Sequence, residues 1–137
     1  MAAGRIAMLL WVIAGSAIGG ALRYMISDMA VRQFGGAFPW GTLIVNVTGS
    51  FVIGFFAALT APDGRIFASP AARQFVMTGI CGGYTTFSAF SLQTLTLARD
   101  EEWLYAGGNI AGSVMLCLFA VWLGHVCATA INQLKGA

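Results

Sequence analysis

The sequence predicts an all-α membrane protein with four transmembrane helices, and three observations carry that prediction. Of its 137 residues, 58% are hydrophobic and only 9% are charged, whereas an ordinary soluble domain carries roughly 25% charged residues. Too few polar groups remain to cover a water-facing surface, which excludes a soluble enzyme. The charges are also clustered, so that residues 6–22, 33–62, 74–98 and 104–131 contain none. Each of these runs is about as long as the ~20 apolar residues that cross a ~30 Å hydrocarbon core as a helix. Four such spans use up most of the chain and leave no soluble domain. A net charge of +2, scattered along the chain, excludes a nucleic-acid partner.

Taken in order, the spans cover about 5–27, 40–61, 70–98 and 104–131 of a single four-helix domain. The first begins at Arg5 and runs past the length of a signal peptide, and Gly15, Gly19 and Gly20 precede an Arg-Tyr pair rather than a cleavage site. A polar loop with Asp28, Arg32 and Gly35-Gly36 follows it. Pro39 and Trp40 open the second helix, since proline loses no needed hydrogen bond in a first turn and tryptophan favours the membrane interface. Pro62-Asp63-Gly64 makes a turn before the third helix. Arg99-Asp100-Glu101-Glu102 forms the next loop, and Trp103 marks the interface again before the fourth. Cys81, Cys117 and Cys127 lie within the apolar runs without metal-ligand spacing and read as small buried hydrophobes.

Gly15/Gly19, Gly79/Gly83 and Gly108/Gly112 each form a GxxxG pair, the spacing that lets helix backbones approach closely in lipid. Four spans put both termini on one side, with Arg5, Arg65, Arg73 and Lys135. Arg23, Arg32 and Arg99 lie on the other. Four positive residues against three gives almost no bias under the positive-inside rule. Two arrangements are compatible with this count: insertion in both orientations with pairing of inverted copies, or one weakly biased orientation.

No carboxylate lies in any span, which argues against a proton-coupled exporter. His125 reads as a helix-end residue, and Arg23 either snorkels to the headgroups or raises the anion concentration at a vestibule. The third span carries the strongest local oddity, Gly79-Ile80-Cys81-Gly82-Gly83-Tyr84-Thr85-Thr86-Phe87-Ser88-Ala89-Phe90-Ser91. Adjacent glycines followed by two β-branched threonines make a poor continuous helix, so a break is expected at Gly82-Gly83. A break at membrane depth frees backbone groups that lipid cannot satisfy, and freed carbonyls suit a cation. Thr85, Ser88 and Ser91 form a ladder of hydroxyls, with Phe87 and Phe90 as an adjoining aromatic stripe. The alternative is a straight helix with packing glycines and hydroxyls bonded back to carbonyls. Asn46 shares a helix face with Thr42, as Asn109 does with Ser113. Each asparagine serves either a water-filled path or the contact between two helices. Amide and hydroxyl donors, the electropositive rims of aromatic rings and one cation at an entrance together suit a small hydrated anion.

These residues resemble the small fluoride channels of the Fluc (CrcB) family across essentially the whole chain. The resemblance is carried by Gly19-Gly20-Ala21-Leu22-Arg23-Tyr24, by Gly41 through Asn46 with Gly49-Ser50-Phe51, and by Gly79 through Ser91. It implies a fluoride-selective channel in a bacterial plasma membrane that exports fluoride passively and lowers its cytoplasmic level. It also implies an antiparallel homodimer with two pathways and a structural sodium ion, Na⁺, at the interface. By position, the sodium would be held by backbone carbonyls of Gly82 and Thr85 from both subunits. Phe87, Phe90, Ser88, Ser91, Asn46 and Asn109 would line the pathway, with Arg23 and Thr42 at the vestibule. Asn109 falls where relatives often carry tyrosine, and Ala89 departs from a small hydroxyl common at that place. Two rivals lack support in these residues. A dual-topology small-molecule exporter needs a glutamate in the first span, and a non-transporting assembly subunit leaves the helix break and Asn46 without a purpose.

Overall fold

The charge-free runs become helices nearly end to end in the computed structural model, which describes residues 2–134. Helix α1 spans Ala2–Phe34 and α2 spans Trp40–Leu59. The third run is segmented into α3 (Pro70–Arg73), a π-helical stretch (Gln74–Cys81), α4 (Gly82–Tyr84) and α5 (Phe87–Arg99). Helix α6 spans Trp103–Gln133, and no strand occurs among the described residues. Three helices, α1, α2 and α6, are long and apolar enough to cross a membrane. Lys135, counted above with the first side, lies outside the described residues.

Two boundaries differ from the sequence reading. Helix α1 does not stop at Ser27 but continues to Phe34, and Asp28 and Arg32 pair one turn apart at 2.9 Å on its surface. Its stop signal is Gly35, whose φ of +79° is the left-handed conformation that ends a helix, with its N–H on the Val31 carbonyl. The second difference matters more. Gly82-Gly83 does not break the third span: Gly82 has helical φ/ψ of −65°/−37°. The break lies after them, at Thr85 (−82°/158°) and Thr86 (−154°/115°), both extended. Gly83 is needed for proximity instead, since a Cβ there would lie 2.6 Å from the Ser16 carbonyl oxygen and 2.9 Å from its Cα.

Packing is dominated by small residues, as expected where lipid removes the hydrophobic drive between helices. Gly15 of α1 faces Gly79 of the π-helical stretch, with a Cβ on Gly15 falling 2.8 Å from the Gly79 Cα, and Gly19 faces Ile80 and Gly83. Two of the three GxxxG pairs therefore meet each other. The third does not pack within the protomer: a Cβ on Gly108 or Gly112 would meet nothing within 4 Å. Helix α6 instead joins α2 through Gly124, opposite Phe51 and Phe55, while Gly54 of α2 faces Val121. At the end of this pair, Asn132 donates to the Ala58 carbonyl at 2.9 Å, and Arg73 donates to the Thr60 carbonyl at 2.6 Å. The Arg73 bond satisfies a carbonyl left free where α2 stops, and the Asn132 bond adds to a long turn bond from the Ala61 N–H to Ala58.

Candidate functional site

The break is built by a contest for backbone hydrogen bonds. In an uninterrupted helix the Thr86 N–H would close a turn onto the Gly82 carbonyl. Here it donates to Asn46 Oδ1 of α2 at 2.7 Å, while Asn46 Nδ2 donates to the Thr86 carbonyl at 3.0 Å. One side-chain amide thus replaces both backbone partners of a buried residue. The Ala89 N–H, which would serve the Thr85 carbonyl in a continuous helix, donates instead to Thr86 Oγ1 at 3.2 Å, capping α5. The carbonyls of Gly82 and Thr85 are consequently relieved of their helical donors. The π-helical stretch just before the break adds a second irregularity, of a kind frequent at functional sites.

Two clefts lie against this segment. The smaller, about 440 Å³, is lined by Asn46, Gly82, Thr85, Phe87, Phe90 and Ser113 among others, and contains no charged side chain. The larger, about 840 Å³, is lined by Arg23, Thr42, Thr86, Ala89, Gln93, Asp100 and Glu102 among others. Thr86 belongs to the larger cleft and its partner Asn46 to the smaller, so the amide clamp stands between them. Arg23 has no ion-pair partner among the described residues, where Asp28–Arg32 is the one pair.

The predicted residues separate on this map. Phe87 and Phe90 sit with ring centroids 5.3 Å apart, tilted by 48°. Phe87 is 78% exposed in the protomer and Phe90 only 9%. The hydroxyl ladder is not continuous, because Thr85 lies outside α5 and donates to the Cys81 carbonyl at 2.9 Å. Ser91 donates to the Phe87 carbonyl at 2.9 Å, and Ser88 is exposed with its hydroxyl 3.3 Å from Thr86 Oγ1. Thr42 is buried on the larger cleft. Asn109 is completely buried between α5 and α6 and lines neither cleft. It donates to Thr94 Oγ1 at 2.8 Å and accepts from Ser113 at 3.4 Å. His125 is exposed on α6. The sequence reading passed over Gln93, whose buried Oε1 has no partner among the described residues and which lines the larger cleft. A polar residue one turn beyond Phe90 was the available signal.

No cluster of three or more His, Cys, Asp or Glu side chains that could hold a metal occurs among the described residues. A cation at this site would therefore rest on backbone carbonyls, and an anion on amide and hydroxyl donors and ring edges.

Residues 10–125 match the family described as CrcB-like protein, Camphor Resistance (CrcB). A protein of Methylocella silvestris named fluoride-specific ion channel FluC is 60% identical over 128 residues, covering 93% of this chain and 98% of its own. Proteins of the same name are similar at 56% in Opitutus terrae, over 93% of this chain and 97% of the relative. In Paramagnetospirillum magneticum the figure is 61%, over 89% and 95%. With its long apolar helices, the chain is a multi-pass membrane protein.

Proposed function

The chain belongs to the CrcB-like family, and from that premise we propose that it is a fluoride-selective channel through which fluoride leaves the cell passively. The observation that carries this reading is the Thr85–Thr86 break, clamped by Asn46 beside the Phe87–Phe90 pair in a cleft without a charged side chain. A small anion that gives up water there must find donors of comparable strength in the protein. The Asn46 amide and the positive rims of the two phenylalanine rings are of that kind in the cleft, and the exposed Ser88 hydroxyl, which lines neither cleft, stands beside Thr86 at its border. No carboxylate lines the cleft, so no negatively charged side chain there repels the ion. Arg23, with Thr42 nearby on the larger cleft, raises the local anion concentration at the entrance. Ser91 and Ser88 continue the polar edge of α5, while Asn109 serves the α5–α6 contact.

The working unit in this reading is an antiparallel homodimer in the bacterial plasma membrane. The almost even charge count supports it, as does the 78% exposure of Phe87, a pathway residue with no cover in one protomer. Gly82 and Thr85 fit a structural sodium ion, because their carbonyls have lost their helical donors and carry no net charge. Such neutral oxygens suit a monovalent ion better than magnesium, which holds its water and prefers carboxylates. When bound, the ion supplies positive potential that favours anions in flanking paths.

The test is efflux from liposomes containing only this purified protein. Fluoride is expected to leave while chloride is retained, and Phe87→Ile is expected to suppress the fluoride flux because it keeps apolar bulk without a ring edge. Fluoride efflux no faster than from protein-free liposomes overturns the reading.

A further inference from the structure

We propose that the hydroxyl pair Tyr84–Thr48 is a positioning tether that fixes the helix break in its conducting geometry, a role that rests on the channel reading above. Tyr84 is the last residue of α4, and its hydroxyl lies 2.9 Å from Thr48 Oγ1 of α2. The direction of the bond follows from Thr48, whose single proton goes to the Ile44 carbonyl at 2.7 Å. Tyr84 is therefore the donor, and the bond ties the end of α4 to the α2 backbone through one threonine oxygen.

The tether completes a three-point attachment. The Tyr84 ring runs beside Gly49, where a Cβ would lie 3.1 Å from ring carbon Cδ1 and 3.5 Å from Cε1. The same Cβ would overlap the Thr85 methyl carbon Cγ2, so Thr85 sits in the notch that Gly49 leaves. On the other side Asn46 holds Thr86 by two hydrogen bonds. Three consecutive residues, one ending α4 and two in the break, are thus each fastened to α2. Extended residues outside a helix keep two soft dihedrals apiece. The Asn46 clamp alone would leave the α4 end, which packs on α1 at Gly19 and Gly83, without a hydrogen bond to α2. The Tyr84 bond closes that end and fixes where the Thr85 carbonyl points. Neither Tyr84 nor Thr48 lines either cleft, so the pair acts through the break and touches no permeating ion.

The experiment compares fluoride efflux from liposomes containing wild type, Thr48→Val, Tyr84→Phe, the double variant and Thr48→Ser. Both single substitutions keep side-chain shape and remove only hydrogen-bonding capacity. Each is expected to lower fluoride flux about fivefold, the ratio equivalent to the ~1 kcal/mol net value of one hydrogen bond. The double variant is expected to be no worse than either single, because both remove the same bond. Thr48→Ser, which keeps the hydroxyl, is expected to hold flux within about twofold of wild type. Undiminished flux in both single variants overturns the tether, as do losses that multiply in the double variant, or a serine variant as poor as the valine. A wild type that conducts no fluoride overturns the channel reading instead and is told apart by that control.

Discussion

Where α2 meets α6, backbone touches backbone. A Cβ at Gly54 would overlap the Val121 carbonyl oxygen, and one at Gly124 would overlap that of Phe51 and lie 2.9 Å from the Phe55 nitrogen. Where the same α2 helix meets the broken third span, side chains do the holding: Asn46 on Thr86, Thr48 on Tyr84. The two contacts have different work. The seam joins two intact helices whose backbone groups are already paired, so apart from the Asn132–Ala58 bond at their end it is close approach and dispersion that bind them in lipid. The break has lost its internal pairing, and each freed group at membrane depth needs a specific partner. The seam should therefore be sensitive to volume and indifferent to polarity, and the break the reverse.

The largest effect expected from this contrast is at the seam. Gly124→Leu or Gly54→Leu forces a side chain into backbone atoms that belong to the facing helix and have no rotamer to change. The cost should exceed about 3 kcal/mol, the upper end of ordinary overpacking. Purification in mild detergent should yield no monodisperse protein. Normal yield and melting temperature for either variant would break the comparison at its first term.

At the break the informative change conserves size and removes polarity. Asn46→Leu leaves the buried Thr86 N–H and carbonyl without partners, at about 1–3 kcal/mol for each group. Fluoride flux should be lost with the clamp. Asn46→Asp sharpens the point, because it still accepts from Thr86 N–H but sets a second oxygen against the Thr86 carbonyl and brings negative charge to the cleft. Flux should fall here too, with less loss of stability. Asn109→Leu is the control within the same class: it removes a buried amide that itself lines neither cleft, although its weaker partner Ser113 borders the smaller one. It should destabilise by about 1–3 kcal/mol while the protein that survives still passes fluoride. Thermal melting and liposome efflux on the same samples separate the three.

The sequence made legible whatever depends on composition or on spacing within one helix. The helices in the four runs and the close packing at Gly15/Gly19 and Gly79/Gly83 are of that kind, although the spacing did not say which glycine pairs meet. The break was legible as an event but not as a place. Intrinsic propensity pointed to Gly82-Gly83, whereas the outcome depends on which acceptor takes the Thr86 N–H, and that acceptor stands 40 residues away on α2. Nothing local to the third span records Asn46 Oδ1. The π-helical stretch likewise has no pattern in its own residues. The end of α1 was misread because Asp28 and Arg32 look like loop residues when counted singly and like an i,i+4 pair when set on a helix. Asn109 looked equivalent to Asn46, each sharing a face with a hydroxyl residue. Only the fold separates one facing a cleft from one sealed between helices.

The smallest expected effect tests whether glycine spacing or glycine surroundings governs the seam. Gly112 and Gly124 occupy the same helix, and the GxxxG spacing selects Gly112 while the contact selects Gly124. A Cβ at Gly112 meets nothing within 4 Å, so Gly112→Ala adds a methyl to open space and removes the conformational freedom that glycine carries into the unfolded chain. Helix propensity then favours alanine by up to about 1 kcal/mol. The melting temperature should rise by a few degrees at most, and fluoride flux should be unchanged. Gly124→Ala should move the other way, since even one methyl overlaps the Phe51 carbonyl oxygen and that oxygen belongs to a helix backbone. Measured side by side, opposite signs would tie the seam to contact. Equal destabilisation would show that the Gly108/Gly112 face is covered in the assembled protein and that spacing had carried information the isolated protomer does not display.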